Sequence, residues 1–144
     1  MLTVLRATEP WQKTGAHYVR IQGMARQHHI TLRDEFDDHD FTDARCVVLL
    51  DDDFPVATCR HYPLSRETAL IGRVVVLPEY RGQELGARVI RECEAWLREE
   101  GFREAVIDAR LTAVGFYEKL GYEKETGEVI RSWQFDCVRM RHAL

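Results

Sequence analysis

From position 85 onward, Leu85, Val89, Cys93, Trp96 and Leu97 recur at helical spacing, while Arg88, Arg91, Glu94, Arg98 and Glu99 take the positions between. The pattern predicts one amphipathic helix with a charged outer face. Gly101 follows its last turn, where a left-handed residue ends many helices, and Phe102 starts the next extended segment. Runs rich in branched residues predict strands at Leu2 to Ala7, Arg45 to Leu50, Val56 to Tyr62, Arg73 to Leu77, Ala105 to Ala109 and Gln134 to Met140, with helical stretches between them. Asp51-Asp52-Asp53 before Phe54-Pro55 is turn chemistry, so Arg45 to Tyr62 reads as an antiparallel hairpin, and those aspartates need no catalytic role. A shorter helix is predicted from Thr112, as its N-cap, through Leu120, with Gly121 stopping it. Strand, long helix and strand in succession imply a parallel crossover. The expected class is therefore a mixed α/β domain (α+β), hairpins first and a βαβ unit after. With 144 residues and neither repeat nor linker, one domain over 1–144 is expected.

Composition narrows the function. At 45% hydrophobic and 31% charged residues the chain is too apolar for disorder. Its net charge of −4, from 20 basic and 24 acidic side chains spread along the sequence, leaves no basic field for a nucleic-acid backbone. No nucleic-acid partner is expected. Arg6 and Glu9 interrupt the first ten residues, and no apolar run is long enough to span a bilayer, so the reading is a cytoplasmic protein with no membrane partner. Cys46, Cys59, Cys93 and Cys137 form no close pair, and His28-His29 has no second ligand nearby, so free thiols and no metal are expected.

The stretch VVVLPEYRGQELGARVI carries the first chemical signal. Gly86 inside the first turn of the long helix costs about 1 kcal/mol relative to Ala, so another group should approach its backbone closely. Helix N-termini present unpaired N–H groups and suit phosphate, and Arg81 adds a charged donor. Arg-Gly-x-x-x-Gly-Ala alone also serves plain strand-to-helix connections, and it is neither a Walker motif nor a dinucleotide fingerprint.

With AVGFYEKLGYEKETGE further on, the chain resembles the GNAT N-acetyltransferase superfamily. Val76, Pro78, Arg81, Gly86 and Ala87 fall near V-x-P-x-x-R-x-x-G-x-G/A, and Ala113, Phe116, Tyr117, Gly121 and Tyr122 match A-x-x-F-Y-x-x-x-G-F/Y. About half the chain matches closely; YVRIQGMARQHHITLRDEFDDHD is similar to the segment that small-molecule acetyltransferases of this type place before a strand pair. The resemblance implies a mixed sheet splayed between its fourth and fifth strands, here Arg73 to Leu77 and Ala105 to Ala109, with acetyl-CoA as co-substrate. Arg81, Gly82, Gln83, Glu84, Leu85, Gly86 and Ala87 would cradle the pyrophosphate. Main-chain groups near Val74 and Val76 would grip the pantetheine, a backbone N–H near Val75 or Val76 would hold the oxyanion, and Phe116 and Tyr117 would lie beside the cofactor.

Two residues depart from the family pattern. Glu84 stands where glycine is usual; in a first turn it would favour the helix dipole and could pair with Arg88 at i+4. Cys137, in Cys137-Val138-Arg139-Met140, stands where many relatives have a histidine. Tyr117 matches the tyrosine assigned as general acid at the CoA sulfur, although an aromatic packed beside Phe116 and Leu120 would look the same. Cys137 could act as base or be a buried structural thiol, and Glu35, Asp37, His61, Asp108 or water are further proton acceptors. The run Asp34-Glu35-Phe36-Asp37-Asp38-His39-Asp40 reads first as a solvated loop, or else as a site steering a cationic amine. Arg20, Arg73 and Arg110 would instead clamp a carboxylate-bearing amine, or form ordinary ion pairs. The implied activity is acetyl transfer to the primary amine of a small molecule by direct attack on the thioester. A noncatalytic acyl-CoA-binding or sensory domain is the alternative. Homodimers are common in the family, with no interface marked; Met24, Trp11 and Trp133 could be core or contact residues.

Overall fold

The computed structural model describes residues 1–144. Strand β1 (Leu2–Ala7) leads into helix α1 (Pro10–Arg20), whose last turn widens into a π-turn over Ile21–Ala25. Two single-turn helices, α2 (Leu32–Glu35) and α3 (Asp38–Phe41), precede β2 (Arg45–Asp51), β3 (Phe54–Pro63) and β4 (Thr68–Val76). Then follow α4 (Leu85–Glu99), β5 (Glu104–Arg110), α5 (Val114–Lys119), β6 (Glu123–Ser132) and β7 (Phe135–Ala143). No helix is long and apolar enough to cross a membrane.

The strands form one sheet in the order β1-β2-β3-β4-β5-β7-β6. β2 and β3 make the predicted antiparallel hairpin, with Asp51 opposite Phe54. Only β4 and β5 run parallel. Their register covers Thr68↔Glu104, Ala69↔Ala105 and Leu70↔Val106, and beyond it the strands part. The expected splay is thus present, and β4 begins at Thr68, not at Arg73 as the apolar pattern suggests. Its first half is interrupted by Gly72 and Arg73, which break the run of branched residues.

A bulge bends β4 at that point. Thr58 pairs with Val75 but Arg60 with Gly72, leaving Arg73 and Val74 opposite the single residue Cys59. Arg73 sits at φ 50°, in the left-handed region. The end of α1 seats close to the same strand. A Cβ at Gly23 would lie 2.5 Å from Val75 Cγ1, so no side chain fits there.

The core lies on both faces of the sheet. Along β2, Val47 and Leu49 join a main cluster with Val89, Ile90 and Leu97 of α4, whereas Cys46, Val48 and Leu50 pack with Ala16 of α1. α4 buries its predicted stripe, and Glu94 with it, contrary to the polar-face expectation. Arg91 (2.8 Å) and the Tyr122 hydroxyl (2.7 Å) both donate to Glu94, which makes its burial tolerable. Gly101, at φ 91°, follows the helix as expected. Thr112 is not the N-cap of the next helix: it lies in a short 3₁₀ turn, Leu111–Ala113, and Ala113 caps α5. All four cysteines are free and buried.

Candidate active site

The parting of β4 and β5 opens a cavity of about 320 Å³. Leu70 to Val74 of β4 and Ile107, Asp108 and Arg110 of β5 form its two walls. Met24 after α1, Tyr117 of α5, Asp37, Arg60 and Tyr62, and Ser132, Trp133, Phe135 and Cys137 around the β6–β7 turn also line it.

At the head of α4, none of the N–H groups from Gly82 to Ala87 donates to a protein acceptor. The first three helical N–H groups have no partner within a helix by geometry, and the preceding three lie in an exposed loop. Gly82 (φ 82°) and Glu84 (φ 61°) both take left-handed backbone there. Glu84 is the N-cap, not a first-turn residue, and makes no cap hydrogen bond. Arg88 donates its backbone N–H to the Glu84 carbonyl, and the anticipated side-chain ion pair between them is not formed. Leu85 is buried in the core. What approaches Gly86 is Phe116: a Cβ would lie 3.3 Å from Phe116 Cζ and 3.8 Å from Val76 Cγ2. Part of that glycine's purpose is therefore to seat α5 against α4. Arg81 donates to the carbonyls of Val76 (3.2 Å) and Gly23 (3.3 Å), bracing the loop on β4 and on the end of α1.

Val74 lines the cavity, while Val75 turns into the core beneath Gly23. Beyond Leu70, the β5-facing edge of β4 has no strand partner. Tyr117 is 8% exposed, its ring edge-on to Phe116 and Tyr122. Its hydroxyl makes no hydrogen bond to protein, unlike that of Tyr122. Burial pushes its pKa well above the ordinary phenol value. Cys137 also faces the cavity, its thiol 3.6 Å from the Phe135 carbonyl. Burial, then the Asp108 charge, raises its pKa, so it stays a thiol at neutral pH and is a poor base.

The acidic run is only partly solvated: Asp34 and Asp38 stay exposed. Glu35, Asp37 and Asp40 point inward to meet Arg20, Arg60 and Arg73. Arg20 is fully buried, its Nε 3.0 Å from Glu35 and its Nη1 2.6 Å from Asp40. Arg60 clamps Asp37 at 2.8 and 2.7 Å. Arg73 reaches Glu35 at 3.0 Å and lies 3.9 Å over the Trp133 ring. Of the three arginines read as a clamp, Arg20 does not line the cavity, whereas Arg73 and Arg110 do. Of the further proton acceptors, Asp37 is tied to Arg60 and held below the ordinary carboxylate range, burial notwithstanding. Asp108 is bridged by Arg139 at 2.8 and 3.1 Å. His61 lies off the cavity against Trp96, its pKa brought down to about 4 by burial and by Arg45 and Arg6. Arg60, Tyr62 and Phe135, which line the cavity, carried no local sequence signal.

The comparisons agree with this geometry. An uncharacterized acetyltransferase of Streptococcus pyogenes serotype M1 is 36% identical over 107 residues, 70% of this chain and 75% of that protein. A crystal structure from Lactobacillus plantarum superposes with a TM-score of 0.91 at 28% identity, covering 99% of this chain and 98% of that one. A GNAT family acetyltransferase from Elizabethkingia anophelis, solved with acetyl-CoA bound, has the same fold, with a TM-score of 0.69 at 15% identity over 99% and 98% of the two chains. The model of the Acetyltransferase (GNAT) family matches residues 9–122, which take in both the α4 loop and the Phe116-Tyr117 helix, and the chain belongs to that family.

Proposed function

We propose that the protein moves the acetyl group of acetyl-CoA to the primary amine of a small molecule by direct attack on the thioester. The observation that carries this reading is the row of unpaired N–H groups from Gly82 to Ala87, set beside the cleft between β4 and β5. Those groups receive the pyrophosphate, and the free edge of β4 receives the pantetheine amides. The thioester then lies in the cavity near Tyr117, its carbonyl oxygen on a β4 N–H near Val75 or Val76.

The amine lone pair attacks the carbonyl carbon, the C–S bond breaks, and sulfur leaves with a proton from Tyr117. The nitrogen's surplus proton returns through water to the phenolate. A phenol of raised pKa is a weak acid, but the same burial also disfavours a free thiolate, which favours moving the proton onto the departing sulfur. Cys137 takes no part as base, and the acceptor reacts as its neutral amine.

The test begins with thermal melts. Acetyl-CoA or desulfo-CoA at 100 times its dissociation constant should add about 2.7 kcal/mol of stability. Thiol release is then followed over a panel of amines. No shift in the melts sinks acyl-CoA binding altogether. A shift without turnover on any amine favours a noncatalytic acyl-CoA sensor, the reading to which Glu84 in its left-handed position lends support.

Glu84 itself gives a sharper prediction on the same basis. Glu84→Gly relieves left-handed strain of about 1 kcal/mol, largely offset by the flexibility glycine adds to the unfolded chain, so stability should hardly change. Removing a carboxylate beside the pyrophosphate should tighten CoA binding about five- to tenfold at low salt, and less at high salt. Calorimetric titration showing equal affinities would place the pyrophosphate elsewhere.

A further inference from the structure

The cavity wall carries five charged side chains: Asp37, Arg60, Arg73, Asp108 and Arg110. Four are neutralised locally. Arg20, Arg60 and Arg73 balance Glu35, Asp37 and Asp40 through contacts of 2.6–3.5 Å. Asp108 is balanced by the bidentate Arg139. Arg110 has no carboxylate within reach. Its guanidinium lies 3.9 Å over the Phe135 ring, which holds it in place without cancelling its charge. On the same ring, edge-on at 5.2 Å, sits His28, whose pKa is lowered by burial and then by the positive charges of Arg110 and Arg81. Arg110 thus brings an unpaired positive charge to the Phe135 side of the cavity, even though the chain as a whole is acidic. Apart from Ser132 and Cys137, the rest of the lining is apolar or aromatic, including Met24, Tyr62, Leu70 and Ile107.

A cationic polyamine finds no free carboxylate here, since every acidic side chain on the wall is already bonded to an arginine. An uncompensated guanidinium in a cavity whose other charges are already paired matches a ligand that brings its own anion. We propose that the acceptor is an amine that also bears a carboxylate, as in an amino acid with an apolar side chain, and that Arg110 binds that carboxylate. The inference rests on the acetyl-transfer reading above and names its substrate class. Arg73 does not share the task, because Glu35 and Trp133 occupy its guanidinium. Arg110 thus sets specificity: it holds the carboxylate end while the amine end lies toward Tyr117.

The test compares matched acceptors, phenylalanine against phenylalaninamide and leucine against leucinamide, with spermidine as the cationic control. Wild type should favour each acid over its amide by about tenfold or more in kcat/KM, carried mainly by KM. In Arg110→Met, which keeps the stem over Phe135, that ratio should collapse toward one, and Arg110→Lys should restore part of it. Equal kcat/KM for acid and amide in wild type, or a preference for spermidine, overturns the proposal. So does an Arg110→Met variant that weakens acetyl-CoA in thermal melts and slows acid and amide alike, since Arg110 would then hold the cofactor. A readout independent of turnover separates this failure from that of the activity: N-acetylphenylalanine should raise the melting temperature of wild type but not of Arg110→Met, and N-acetylphenylalaninamide that of neither. If no amine is acetylated yet the carboxylate still binds through Arg110, the transfer reading falls and the carboxylate site stands. If wild type binds neither compound and acetylates no acid, the carboxylate site falls.

Discussion

Tyr117→Phe is expected to lower kcat by about 10²- to 10⁴-fold, the range for loss of a positioned general acid, while acetyl-CoA affinity and stability stay close to wild type. The expectation follows from a contrast between two neighbouring tyrosines. Tyr122 donates its hydroxyl to buried Glu94 at 2.7 Å and is committed to structure. Tyr117 is as well packed, yet its hydroxyl bonds to nothing in the protein and its ring borders the cavity. Removing an unbonded hydroxyl leaves no orphaned partner, so the fold should lose little. The chemistry, by contrast, loses the proton that the departing sulfur needs. The pH profile adds a second check. A phenol whose pKa burial has raised stays protonated through pH 9, so wild type should show no loss of kcat on the alkaline side from this group. Single-turnover thiol release by the two proteins at saturating acetyl-CoA measures the effect. A variant within threefold of wild type would remove Tyr117 from the acid's role and leave it a packing residue.

How far these features could be read in advance depended on whether the forces behind them were local. The apolar stripe of α4, its end at Gly101 and the β2–β3 hairpin follow from spacing and turn chemistry, and they stand where the pattern put them. β6 left no such trace. Glu123–Ser132 is the outermost strand, exposed along most of its length, so nothing demands apolar alternation. The bulge at Arg73 was equally silent, since a left-handed arginine is imposed by the sheet and not favoured by its own side chain. The loop before α4 and the Phe116-Tyr117 helix were legible because they carry chemistry in a fixed short spacing. The acidic run misled because its partners lie far away in the chain: Arg20, Arg60 and Arg73 come from α1, β3 and β4. Pairing across such distances leaves no periodicity, and the same blindness let Arg20 pass for a substrate ligand when it is fully buried.

That ion network should also be the costliest place to cut. Glu35→Ala is expected to destabilise the protein by about 3–5 kcal/mol, the usual penalty for stranding a buried charge. Glu35 has no exposed surface, and two guanidiniums share its carboxylate, that of Arg20 and that of Arg73, each at 3.0 Å. Truncation strips the carboxylate from both arginines, leaving Arg20 with Asp40 and the Glu35 main-chain carbonyl and Arg73 with that carbonyl at the bulge of β4. Arg73 still has Asp37 at 3.5 Å, so it should shift, not leave. The bulge sets the free edge of β4, and its loosening should raise the KM for acetyl-CoA as well as lower stability. Glu35→Gln retains an acceptor for both arginines and should cost less than the alanine variant. Acid should attack the same cluster through Asp37 and Asp40, whereas Glu35, whose pKa burial raises, works in the opposite direction. Burial raises the carboxyls of Asp37 and Asp40, but their bonds from Arg60 and Arg20 outweigh it, and both end below the ordinary value of 3.8. Because the native values lie below the unfolded one, their contribution is complete above about pH 5 and is lost as the pH falls further. Urea midpoints of wild type and both variants from pH 3 to pH 8 would report the outcome. A Glu35→Ala midpoint matching wild type at neutral pH would mean that the two arginines find other partners, and that the network does not brace β4.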